Sequence, residues 1–261
     1  QMMVNNPGME WLQTDPRARD WLAALGLNSC AAILKFFAPP EPVVTTTVIV
    51  TPRTVQLPDR STREVFYKLY EYASPSWRFW GRRSKARCEF ENYAAFEKLG
   101  IPTARRVACG EVRDVLGRLC RAFIITEAIP RAWTLPQFVD EFCPKRATAE
   151  SRGLGDGICR QMAALTRRIH DAGFFHHDLV WRNILVTWTP PDAPKLWWID
   201  CPRGGFSRQR RRQIKDLASL DKMAAKHCTR SERLLFLKSY GGDKPLAREV
   251  LTYRQRRWPH D

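Results

Sequence analysis

Nowhere in the 261 residues is there a run of the roughly 18–20 apolar residues that a spanning helix needs. No apolar stretch near the N-terminus reads as a signal peptide, so neither secretion nor membrane spanning is expected. Paired cysteine motifs are also missing. The eight cysteines (Cys30, Cys88, Cys109, Cys120, Cys143, Cys159, Cys201 and Cys228) are scattered, with no CxxC and no Cys/His pair at zinc spacing. This excludes a zinc module and predicts free thiols in a reducing cytosol. Internal repeats and low-complexity tracts are absent. Acidic residues are in deficit, 27 Asp+Glu against 43 Lys+Arg, for a net charge of +16.

The chain also has enough to fold. Hydrophobic residues make up 44% and aromatics 11%, which argues against wholesale disorder and supports a sizeable core. The charge is concentrated. Arg203 to Asp261 holds 16 basic and six acidic residues, and Trp77 to Arg87 holds five basic residues and no acid. Two patches on a nearly neutral body point to a localised anionic partner rather than to nucleic acid.

Asp15 to Phe37 reads as helical, opened by Asp15-Pro16 and striped by Trp21, Leu22 and Leu25 before Gly26. Three β-rich runs follow, Val43–Val50, Thr54–Leu57 and Val65–Tyr70, with a turn at Pro58-Asp59-Arg60. Arg87–Leu99 has helical spacing and ends at Gly100, and Val107–Val112 and Leu119–Glu127 read as strands. Beyond Glu127 the pattern turns helical: Leu135–Phe142, Gly157–Ala172 and the chain from Gln213 on, with short strands at Ile184–Thr187 and Leu196–Ile199. The expected fold class is α+β, with a β-rich N-lobe over residues 1–127 and a mainly helical C-lobe over 128–261.

The sharpest motif is His176-His177-Asp178-Leu179-Val180-Trp181-Arg182-Asn183, running into the strand Ile184-Leu185-Val186. It matches the kinase catalytic-loop form H-x-D-L-x-x-x-N, with His in place of the usual Arg before the Asp. In that pattern the Asp accepts the proton of the attacking hydroxyl, and the Asn five residues on holds Mg²⁺ beside the phosphates. Trp197-Trp198-Ile199-Asp200 supplies a second metal carboxylate at a strand end. His176 either joins the chemistry or orients the loop by hydrogen bonding. Val65-Phe66-Tyr67-Lys68 has the V-A-I-K shape that places a lysine on the ATP phosphates. Its partner should be a helix glutamate. Glu89, with Tyr93 and Phe96 at +4 and +7, faces the buried stripe better than Glu91 does.

With these parts in order, the chain resembles the lipopolysaccharide core kinase family, the heptose and Kdo kinases of bacterial inner-core assembly. Leu25-Gly26-Leu27, Phe66-Tyr67-Lys68, Glu89 through Thr103, Gly110-Glu111, Phe123–Glu127, the His176–Asn183 loop, Ile199-Asp200 and Lys215-Asp216-Leu217-Ala218 carry the likeness. The resemblance implies a protein-kinase-like bilobal fold and ATP-dependent phosphorylation of a core sugar hydroxyl, heptose or Kdo, at the cytoplasmic face of the inner membrane. It assigns Asp178 as catalytic base with His176 beside it, Asn183 and Asp200 to Mg²⁺, and Lys68 and Glu89 to the ATP phosphates. The segment Glu127, Ala128 and Ile129 becomes the adenine hinge, and Asp216 the helix acid that braces the catalytic loop.

The sequence departs from the pattern in three places. Val43 to Val65 contains no glycine, so no Gly-rich loop covers the nucleotide; Asp200 is followed by Cys201-Pro202-Arg203-Gly204 rather than Phe-Gly; and no A-P-E follows. The anionic lipopolysaccharide acceptor implied by the resemblance gives the basic patches a role. Arg203, Arg208, Arg210, Arg211 and Arg212 suit clamping of acceptor phosphate or carboxylate. Trp77, Arg78, Trp80, Arg82 and Arg83 interleave aromatics with arginine as a peripheral membrane contact does. The alternatives are a small atypical protein kinase, an aminoglycoside-type phosphotransferase and a pseudokinase scaffold.

Overall fold

The computed structural model describes residues 8–38, 47–76, 79–143 and 148–259. The chain divides into two compact units. One runs up to Ala94 and resumes over Ala104–Ala128; the other comprises Ala95–Thr103 and everything from Ile129.

The first unit is built on a five-stranded antiparallel sheet. Its strands are β1 (Met9–Thr14), β2 (Thr47–Gln56), β3 (Thr62–Ser76), β4 (Arg106–Arg113) and β5 (Leu119–Glu127), in the order β1-β4-β5-β3-β2. The two short helices α1 (Arg19–Ala24) and α2 (Cys30–Phe36) join its core. Alternation along β3 sends Val65, Tyr67 and Leu69 into that core with Leu22, Ile33, Phe37 and Phe123. Phe37 stacks on Tyr67 with ring centroids 5.0 Å apart. Each such large side chain contributes about 1.5–3 kcal/mol when fully buried. Gly110 is required where β4 passes this core, because a Cβ there would lie 2.5 Å from the Phe123 ring and 2.7 Å from Cys30 Sγ. The helix α3 (Lys85–Lys98) begins in this unit, and its Glu89 bonds to Lys68 and Tyr70, the opposite set of β3 side chains.

The structure differs from the sequence reading at several elements. The expected Asp15–Phe37 helix is a 3₁₀ turn at Pro16–Ala18 followed by α1 and α2. Gly26, at φ 70°, breaks it, and Ser29 caps α2 by accepting from Ala32 N. Of the run Val43–Val50, residues 43–46 lie outside the described residues. The rest joins the Thr54 run in one strand, which tolerates Pro52 because β2 is a sheet edge. The edge strand β1 is an addition.

In the second unit, α5 (Ala149–Asp171) packs with α6 (Arg210–His227), α7 (Arg230–Tyr240) and α8 (Lys244–Arg257) around Ala163, Leu217, Ala218, Tyr240, Leu246 and Val250. β6 (Trp133–Thr134), β8 (Ile184–Thr187) and β9 (Lys195–Trp198) form a small sheet in the order β6-β8-β9, and β7 (Phe174–Phe175) pairs with β10 (Gly205–Phe206). The helix α4 (Leu135–Phe142) opens with a reciprocal Thr134/Gln137 cap, α5 with Thr148/Ser151 and α7 with Thr229/Glu232. Each such cap is worth about 1 kcal/mol. The Ala95–Thr103 stretch belongs here through Phe96, which packs on Phe174 and His176, and through Thr103 Oγ1, which donates to Trp198 O at 2.7 Å.

Candidate active site

Each unit carries its own constellation. In the first, Lys68 Nζ donates to Glu89 Oε2 at 3.0 Å. Glu89 is buried, so its charge needs more than one partner. Tyr70 OH donates to Oε2 at 3.2 Å and Tyr93 OH to Oε1 at 3.0 Å, completing the cradle. Glu91 is excluded from this role, since it pairs with Arg83 and, at 3.1 Å, with Arg87. Sequence reasoning missed both hydroxyls. The signal was present: Tyr70 lies two residues from Lys68 on the same strand face, and Tyr93 lies one helical turn from Glu89. It also missed Val50, opposite Lys68 in the ladder, and Val48 and Phe66 on the same face. All three are solvent-exposed, which leaves an open apolar surface beside the lysine.

The residues expected as the hinge are partly committed. The amide of Glu127 donates to Arg105 O and that of Ala128 to Glu64 O, both at 2.8 Å, while the Glu127 carboxylate faces Arg63 and Arg105. Ile129 begins the second unit's main segment.

In the second unit, α5 ends at Gly173 and the chain turns through β7 into the loop His176–Asn183. The fully buried Asp216 on α6 braces it: Oδ2 accepts from His176 N at 2.7 Å and Oδ1 from His177 N at 2.8 Å. Asn183 Nδ2 donates to Asp178 O at 2.9 Å, closing the loop on itself, and Ile199 N donates to Asn183 O at 3.0 Å. The segment ending in Asp200 is thereby tied to the loop. His177 (φ 66°) and Asp200 (φ 55°) both hold left-handed backbone, a strained conformation for non-glycine residues that concentrates at functional sites. Gly204 is required after Asp200, because a Cβ would meet Cys201 Sγ at 2.3 Å.

His176 is expected either to join the chemistry or to orient the loop. Its side chain is fully buried, and Nε2 lies 3.1 Å from Ile199 O, a contact of the orienting kind. Burial pushes its pKa below the usual histidine value, against Asp216 and the Ile199 carbonyl, and favours the neutral ring. His177 is shifted the same way, first by burial and then by Arg212 and Lys215. The neutral His177 ring accepts from Arg212 Nη1 through Nε2 at 2.9 Å.

Of the other arginines, Arg210 pairs with Glu249 at 2.8 Å, whereas Arg203, Arg208 and Arg211 stand exposed. Trp77 and Arg78 lie outside the described residues; Trp80, Arg82 and Arg83 are exposed in the first unit. Among the described residues no group of three or more His, Cys, Asp and Glu side chains converges as a metal cage. The oxygen donors of Asn183 and Asp200 suit a hard cation that takes its remaining ligands from phosphates and water.

The profile of the lipopolysaccharide kinase (Kdo/WaaP) family matches residues 71–240, well over half of the chain. The chain belongs to this family. Among its relatives are the 3-deoxy-D-manno-octulosonic acid kinases of Actinobacillus succinogenes and Haemophilus influenzae. The first is 28% identical over 142 residues, 54% of this chain and 54% of that protein. The second is 28% identical over 138 residues, 48% of this chain and 53% of that protein. The aligned chain thus spans about half the length of these curated relatives. A solved structure of WaaP in complex with acyl carrier protein matches with a TM-score of 0.65 at 22% identity, covering 95% of this chain and 97% of that one. That likeness establishes the fold, which is protein-kinase-like. None of the eight cysteines is joined in a disulfide, and no helix among the described residues is long and apolar enough to cross a membrane.

Proposed function

We infer that this chain is an ATP-dependent kinase of the lipopolysaccharide inner core, transferring phosphate to a hydroxyl of a Kdo or heptose sugar. The observation that carries the reading is the loop His176–Asn183, held at its first two amides by the buried Asp216 and closed by Asn183. In this reading Asp178 accepts the proton of the acceptor hydroxyl as its oxygen forms a bond to the γ-phosphorus and the bond to ADP breaks. Lys68, positioned by Glu89, contacts the ATP phosphates. The exposed Val48, Val50 and Phe66 offer the purine an apolar surface, with Glu127, Ala128 and Ile129 as the hinge. Mg²⁺ would be held by Asn183 and Asp200 and would neutralise charge on the phosphates.

That both relatives are 3-deoxy-D-manno-octulosonic acid kinases favours Kdo, a sugar acid, as the acceptor. Its carboxylate fits the forked donors of the exposed Arg203, Arg208 and Arg211, with Arg210 and Arg212 held back by Glu249 and His177. Such an acceptor is lipid-linked, so the enzyme works as a peripheral protein on the cytoplasmic face of the inner membrane. The test is incubation of the purified chain with Mg-ATP and a Kdo-bearing lipid A precursor, followed by mass spectrometry. It is run with and without acyl carrier protein, because the WaaP structure contains one. Gain of one phosphate on the sugar is expected. An unmodified precursor in both arms, alongside phosphorylation of a protein or small alcohol, would overturn the substrate assignment.

A further inference from the structure

In the first unit, the segment Phe79–Arg83 is fastened to two others that are remote in sequence. Trp80 Nε1 donates to Leu116 O at 3.1 Å, in the turn between β4 and β5. A Cβ on Gly117 would lie 3.5 Å from the Trp80 ring and 3.7 Å from Met9 Cε, so the start of β1 reaches the same point. Arg113 locks the assembly. Its Nη1 donates to Phe79 O at 2.9 Å and to Gly117 O at 3.1 Å, and its Nη2 to Arg82 O at 2.6 Å. The buried Glu111 balances its charge at 2.9 Å. On this fixed base, Met9, Trp80, Val115 and Leu116 leave 58%, 61%, 59% and 53% of their surface open.

Two properties identify what covers this tip. Trp80 satisfies its one polar atom internally, so its ring can enter an apolar medium without stranding a donor. The charge around it is cationic. Trp77 to Arg87 holds five basic residues and no acid, Arg82 is exposed, the exposed Arg83 shares Glu91 with Arg87, and Arg118 neutralises Asp114 at 2.6 Å. Glu10, next to Met9, alternates to the other face of β1. Apolar side chains at turn tips, ringed by arginine, match the interface of an anionic bilayer.

The geometry points to a membrane-docking tip: Met9, Trp80, Val115 and Leu116 insert at the headgroup level of an anionic phospholipid bilayer, with Arg82 on the headgroup phosphates and Arg83, paired with Glu91, beside it. This assigns the peripheral contact to three chain segments rather than to one loop. Its purpose rests on the proposed function, but its test needs neither nucleotide nor acceptor.

The test is flotation of the full chain with vesicles of phosphatidylglycerol and phosphatidylethanolamine, against vesicles of phosphatidylcholine alone. The native chain should float with the anionic vesicles. The triple variant Trp80→Ser, Val115→Ser, Leu116→Ser should lose at least ~10-fold in partitioning, because apolar area drives insertion. Arg82→Gln with Arg83→Gln should lose binding to anionic vesicles selectively. Should the triple variant misfold by circular dichroism, brominated lipids supply the second readout. They should quench native tryptophan emission, and Trp80→Phe should remove that quenching. Native-like flotation of a folded triple variant, or no flotation of the native chain, would overturn the tip. So would loss of self-association in the triple variant with vesicle binding intact, which would assign the face to a second copy. A chain that floats but transfers no phosphate overturns only the kinase reading; one that phosphorylates a soluble acceptor but never floats overturns only the tip.

Discussion

The two units hold their reactive groups by different physics. In the sheet unit a cation is held by a charge: Lys68 reaches Glu89, and two tyrosine hydroxyls satisfy the rest of that carboxylate. In the helical unit a loop is held through its backbone: the Asp216 carboxylate grips two successive amides, and Asn183 ties the loop back on itself. The first arrangement fails electrostatically when a partner is removed, whereas the second fails geometrically. The first therefore suits binding a polyanion, and the second suits aiming a base.

Four substitutions or conditions sharpen the contrast. Asp178→Asn leaves the loop's clamps in place and should lower turnover by about 10²–10⁴-fold, the usual contribution of a general base, with the melting temperature unchanged. Glu89→Ala strands the largely buried Lys68 charge and should cost about 3–5 kcal/mol by denaturant unfolding. The neighbouring Glu91→Ala, which breaks two partly exposed pairs with Arg83 and Arg87, should cost about 1 kcal/mol or less. Asp216→Ala leaves two loop amides without their acceptor and should cost about 1–3 kcal/mol for each, with turnover falling further than stability alone explains.

The smallest effect is on pH dependence. The folded pKa of His176 lies below its unfolded value of about 6.5. The unfolded chain therefore takes up a proton first as the pH falls. Stability from the neutral ring is complete above pH 6.5 and drains as the pH drops from there towards the folded pKa. The melting temperature should decline over that window, and His176→Asn should flatten the decline.

What was legible in the sequence follows the same division. The loop His176–Asn183 is contiguous, so its chemistry shows in one line of residues. The helix Leu135–Phe142 carries its own cap in Thr134 and Gln137, and its bounds were readable to the residue. The Lys68–Glu89 pair needed a facing argument and survived it. Features set by distant partners were not readable. The strand Met9–Thr14 has a weak burial alternation and exists because β4, about a hundred residues on, offers it an edge. The helix α5 starts at Ala149, ahead of Gly153, Gly155 and Gly157, which disguise its first turns, because Thr148 and Ser151 cap each other. The ring of His176 was open in the sequence between chemistry and orienting the loop, because its burial against Ile199 O depends on a segment some twenty residues on. The tip at Trp80 likewise needs Met9 and Leu116, which no local pattern brings together.

The central claim is a division of labour, in which the Lys68 constellation binds the nucleotide and the Asp178 loop performs the transfer. It is tested most directly by measuring Mg-ATP binding calorimetrically and single-turnover phosphoryl transfer on Lys68→Met and Asp178→Asn side by side. The account predicts that Asp178→Asn binds Mg-ATP like the native chain and transfers phosphate about 10²–10⁴-fold more slowly, while Lys68→Met loses binding and transfer together. Native-like transfer by Asp178→Asn, or undiminished nucleotide binding and transfer by Lys68→Met, would contradict it.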